Sequence, residues 1–126
     1  MRAREAAQRL KRFEADEKSR KVQGLEQMIM EFEQMARDLE RQITTEEERT
    51  GIKDPSHFNY STFAKSATVR RENLEASITE LRAKLEDSQK ELDEALAEAN
   101  PLGGVGEVRE TALSGSISDS SAGSTL

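Results

Sequence analysis

From Val22 to Ile43 the apolar residues Val22, Leu25, Ile29, Phe32, Ala36, Leu39 and Ile43 follow one another at alternating steps of three and four. On a helix that spacing draws a single narrow apolar seam, and such a seam is buried only against another helix. No proline interrupts residues 3–50. The one glycine there, Gly24, costs about 1 kcal/mol relative to alanine, so the pattern predicts a first helix over 3–50. Upstream, Ala3, Leu10 and Phe13 outline a weaker stripe. The nearly all-charged EADEKSRK at 14–21 separates the two stretches. There the helix is expected to continue while its packing lapses.

A matching seam recurs downstream at Ala64, Ala67, Arg71, Leu74, Ile78, Leu81, Leu85, Ser88, Leu92, Ala95 and Ala99. It predicts a second helix over about 62–99. Ser61 or Thr62 would be its N-cap, a side-chain oxygen accepting a backbone N–H that has no helical partner. Pro101 disfavours helix at Asn100 and ends it. Residues 100–126, NPLGGVGEVRETALSGSISDSSAGSTL, are rich in Gly, Ser and Thr, keep no apolar period, and read as a disordered tail.

Between the helices lies GIKDPSHFNY, residues 51–60, with the only His and the only Tyr of the chain. A connection this short folds two helices back antiparallel. Centring the fold near Asp54-Pro55 sets Ile43 against Ala67, Ala36 against Leu74, Phe32 against Ile78, Ile29 against Leu81 and Leu25 against Leu85. Apolar meets apolar at each pair, and Leu39 and Leu92 lie on the same seams. In this register residues 1–10 overhang the end of the second helix. Gly51 supplies a left-handed helix stop, Asp54-Pro55 starts the turn, and Ile52, Phe58, Tyr60 and Phe63 are expected to plug the open end. The tip reads as a capped turn that can also dock a partner through its aromatic residues, Phe58 and Tyr60 above all. The fold class is therefore all-α, an antiparallel two-helix coiled-coil hairpin over 1–99 with a tail over 100–126.

Composition narrows the function. Of the 126 residues 35% are charged and 4% aromatic, too little apolar bulk for a layered α/β core, and there is no cysteine for a disulfide or zinc framework. The net charge of −6 argues against nonspecific nucleic-acid binding. No apolar run approaches the length that spans a bilayer, and the basic MRAREAAQRLKRF is not followed by the hydrophobic stretch of a secretory signal. A helix lying in the membrane interface would need a far more basic polar face. His57 has no second histidine with which to bind a metal. Glu46, Glu47 and Glu48 point around their helix and read as a solvated face. Met28, Met30 and Met35 read as packing or a soft contact surface. GGVG at 103–106 has neither a preceding strand nor a following Lys-Ser/Thr. No catalytic, metal or cofactor site is expected, and the chain reads as a non-enzyme.

Charge is uneven. Residues 1–21 hold eight Lys or Arg and four Asp or Glu, whereas residues 22–50 hold three and eight. Arg2, Arg4, Arg9, Lys11 and Arg12 thus form a basic end, either a solvated helix with internal ion pairs or an address for an acidic partner. A two-helix core is thin, so a partner or self-association is expected.

LKRF at 10–13, DEKSRKV at 16–22, TGIKDPSHFNY at 50–60, the Ala64-Lys65 pair and RRENL at 70–74 resemble the FliJ-like flagellar export proteins of alphaproteobacteria. The likeness covers roughly residues 4–99, and the tip segment with RRENL is its most specific part. It implies an antiparallel two-helix coiled coil in the flagellar type III export machine, shaped like the stalk of a rotary ATPase. The implied partners are the export ATPase ring, the cytoplasmic part of the export gate and export chaperones. The implied location is the cytoplasm, at the inner face of the inner membrane through those partners. In that family the second helix usually continues further, where Pro101 and the Gly/Ser tail stand here. A self-associating coiled-coil scaffold is the alternative reading.

Overall fold

The computed structural model describes residues 2–101. The tail expected over 100–126 lies outside the described residues from 102 onward. Two helices make the fold, α1 over Arg2–Thr50 and α2 over Thr62–Ala99, and they pair antiparallel as an all-α hairpin. The described residues divide into two compact units, one from residues 2–23 with 86–101 and the other from Gly24–Leu85.

The Gly24–Leu85 unit holds both apolar clusters. In one, Ile29, Ile78 and Leu81 are buried, with Leu25, Phe32 and Leu85 packed against them. In the other, Ile43, Tyr60, Ala64 and Ala67 are buried, with Leu39 and Ile52 alongside. Ile29 thus shares a cluster with Leu81 and Ile43 with Ala67, consistent with the register expected from apolar spacing. Leu74 sits half-buried on the same seam. Ion pairs from Arg82 to Glu33 and from Arg71 to Glu40 span the two helices in that register. Arg71 stands at a seam position, and its Nε is buried without a partner. A polar seam residue of this kind costs stability and restricts which registers are compatible.

In the other unit the seam mixes small and polar residues with the larger apolar Val22 and Leu92. Ala15, Val22, Ser88, Leu92 and Ala99 are buried. Lys18 donates to Glu91 at 3.3 Å, and the Gln8 amide donates to the Ala99 carbonyl.

Two expectations change here. The seam does not lapse at EADEKSRK: Ala15 and Val22 continue the seven-residue spacing of Ile29, Ala36 and Ile43, and Lys18 fills the intervening seam position with a cross-helix ion pair. Leu10 and Phe13 belong to no seam and are both 58% exposed. The overhang is also shorter than residues 1–10. The last carbonyls of a helix have no partner within it, and the Gln8 side chain satisfies that of Ala99. Arg9, Lys11 and Arg12 therefore lie within the paired stretch.

Candidate partner-binding surfaces

The tip is built by the local chemistry of 51–61. Gly51 adopts φ 75°, and its N–H closes on the Glu47 carbonyl at 2.8 Å. That left-handed geometry favours glycine and stops α1. The Asp54 carboxylate accepts from the Ser56 backbone N–H at 3.0 Å and from its hydroxyl at 2.8 Å. The two bonds, the backbone one foremost, lower the pKa of Asp54. The Asp54 carbonyl accepts the His57 N–H and the His57 carbonyl accepts the Tyr60 N–H, each at 3.0 Å. His57 Nδ1 accepts the Asn59 N–H, also at 3.0 Å. The histidine is thereby a structural part of the turn. Ser61 is the N-cap of α2, its Oγ accepting the Ala64 N–H at 3.1 Å.

The tip is braced from α1 by two of the three consecutive glutamates. Glu47 accepts from the Tyr60 hydroxyl at 2.6 Å, and Glu46 accepts from the Ser61 hydroxyl at 2.6 Å. Arg49 donates twice to Glu46, at 3.0 and 2.8 Å. These bonds, Arg49 first and Ser61 second, hold the Glu46 carboxyl down at about 2, and the Arg49 pKa rises in turn. The Glu47 hydrogen bond and burial raise the pKa of Tyr60. Glu46 and Glu47 are half-buried and face the tip; only Glu48 of the three keeps to the expected solvated face. Their role shows only once Tyr60 and Ser61 are brought opposite them by the fold.

The apolar plug is smaller than expected. Tyr60 is buried and Ile52 half-buried, but Phe63 is 54% exposed and Phe58 is 89% exposed. Phe58 instead stacks on the His57 ring at a centroid separation of 4.9 Å. The two candidate tip residues thus separate, with Tyr60 structural and Phe58 presented to solvent.

At the basic end Arg2, Arg4, Arg9, Lys11 and Arg12 are all exposed, and none enters an ion pair among the described residues. Beside them Leu10 and Phe13 leave apolar surface open. Among the described residues no group of His, Cys, Asp or Glu is arranged to hold a metal ion, and no helix is long and apolar enough to cross a membrane. Comparison with protein families, curated proteins and solved structures gave no match.

Proposed function

We propose that the chain is a non-enzymatic, stalk-like adaptor of the flagellar type III protein export apparatus, linking the export ATPase ring to the export gate and its substrate chaperones. The resemblance of TGIKDPSHFNY and RRENL motivates the assignment to that system. One observation supports an adaptor role most strongly. The tip backbone is tied by hydrogen bonds at Gly51, Asp54, His57 and Tyr60, yet it holds Phe58 89% exposed. An ordered turn that exposes a large aromatic side chain is suited to contact, because the side chain gains burial on binding without a further cost of ordering the backbone. The basic end, with five cations that enter no ion pair among the described residues, is a second contact point and suits an acidic partner.

A deletion strain scored for swimming and for filament export tests the reading. The account expects loss of both, rescue by the intact gene and poor rescue by Phe58→Ala. Normal motility in the deletion strain contradicts the assignment to flagellar export. Full rescue by Phe58→Ala removes the tip from the docking account.

A further inference from the structure

In the Gly24–Leu85 unit the two edges of the helix pair differ in chemistry. Heptad positions are lettered here with Ile29, Ile43 and Ile78 at a. Within 24–50, position e of α1 is then Glu26, Glu33, Glu40 and Glu47. Glu33, Glu40 and Glu47 bond to Arg82, Arg71 and Tyr60 across that edge. The opposite edge, lined by position g, has no acidic residue. On α1 it carries Met28, Met35, Gln42 and Arg49; on α2 it carries Phe63, Arg70, Ser77 and Lys84. Met28 is 42% and Met35 49% exposed. Beneath them, in the groove that any two packed helices leave along their edge, Leu25, Phe32, Leu39 and Leu74 are only half-buried. Arg70 and Lys84 are exposed and enter no ion pair among the described residues. They lie two heptads apart on one lip, about 21 Å along α2 at 1.5 Å per residue.

The geometry points to this groove as the docking site for an amphipathic helix of a partner protein, one that carries carboxylates beside its apolar stripe. The alternating three- and four-residue steps of Leu25, Met28, Phe32, Met35 and Leu39 match the ridge of a third helix. Methionine adapts to varied apolar shapes. The two cations favour a ligand with acidic residues spaced by two heptads on the side facing α2. A second copy is a poorer occupant, because position g of its own edge offers the cations Arg49, Arg70 and Lys84 and no carboxylate. The inference goes beyond the adaptor reading and does not depend on which secretion or motility system the chain serves.

The test uses the full chain labelled with carbon-13 at its methionine methyl groups. It is titrated with a synthetic 21-residue helical peptide bearing a leucine stripe flanked by glutamates. Met30, on the outer face of α1 and 62% exposed, is the internal control. The peptide is expected to shift the Met28 and Met35 signals and leave Met30 unmoved. A matched peptide with lysines in place of the glutamates should bind at least tenfold more weakly. Arg70→Glu with Lys84→Glu should reverse that preference while circular dichroism stays unchanged. Equal affinity for the two peptides, equal shifts at Met30, or no shift at millimolar peptide would overturn the proposal. So would Met28 and Met35 shifts that depend on protein concentration alone, since a second copy would then fill the groove.

Discussion

Glu46 links three features of the molecule: the last turn of α1, the start of α2 and the charge of Arg49. Its carboxylate accepts from Arg49 and from Ser61, the same hydroxyl that caps α2. The ionised form is what these donors favour, so its pKa falls from the ordinary 4.5 to about 2. A carboxyl depressed in the folded state adds stability above its unfolded pKa, and that stability drains as pH falls toward the folded value. The melting temperature of the intact chain should therefore drop between pH 4.5 and 2, the interval set by Glu46. Glu46→Gln should melt lower at neutral pH and show a shallower decline across that interval, as followed by circular dichroism. A decline as steep as that of the intact chain would remove Glu46 from the tip's stability. Nothing at the level of EEE in the sequence singles out the two bracing glutamates. Their identity depends on which face of α1 meets Tyr60 and Ser61, a tertiary fact.

At the scale of the helices, spacing was more informative than residue size. Every seam position expected on α2, including polar Ser88 and small Ala99, is buried or half-buried. The seam through EADEKSRK leaves no apolar stripe because Ala15 is small and Lys18 is charged, although both keep the seven-residue spacing. Phe63 departs from expectation in the opposite sense. Aromatic character suggested burial, but its edge position leaves the ring half in water. Gly24 is the other departure from helical expectation. A Cβ at this position would meet nothing within 4 Å, so packing does not require glycine there. Gly24→Ala should therefore stabilise α1 by about 0.5–1 kcal/mol through helix propensity and reduced unfolded-state freedom. Thermal or denaturant unfolding reads this directly. A destabilised Gly24→Ala chain would mean that the glycine's backbone freedom is used in the folded state.

Across the whole molecule, positive charge gathers in residues 1–21 of a chain whose net charge is −6. Since Arg9, Lys11 and Arg12 are exposed and enter no ion pair among the described residues, reversing all three to Glu should leave helicity nearly intact. If the proposed adaptor reading holds, the same change should weaken binding to the export ATPase at least tenfold. Binding of the unaltered chain should itself weaken with salt, because exposed charges are screened beyond about 10 Å at 0.1 M. Unchanged affinity with no salt dependence would take the basic end out of the mechanism and leave Phe58 as the contact. The hairpin topology was legible because two seams and a ten-residue punctuated connection admit few arrangements. The candidate surfaces were only partly legible, since exposure of Met28 and Met35 depends on what the partner helix leaves uncovered and that of Phe58 on the turn that carries it. Each of these surfaces depends on one chain folding back on itself in the described register. Phe32, packed against the cluster that contains Ile78, offers the most direct measurement. Cysteines replacing Phe32 and Ile78 in an otherwise cysteine-free chain should, on oxidation at low protein concentration, form a bond within one chain. Cross-links found only between chains under those conditions would contradict the hairpin.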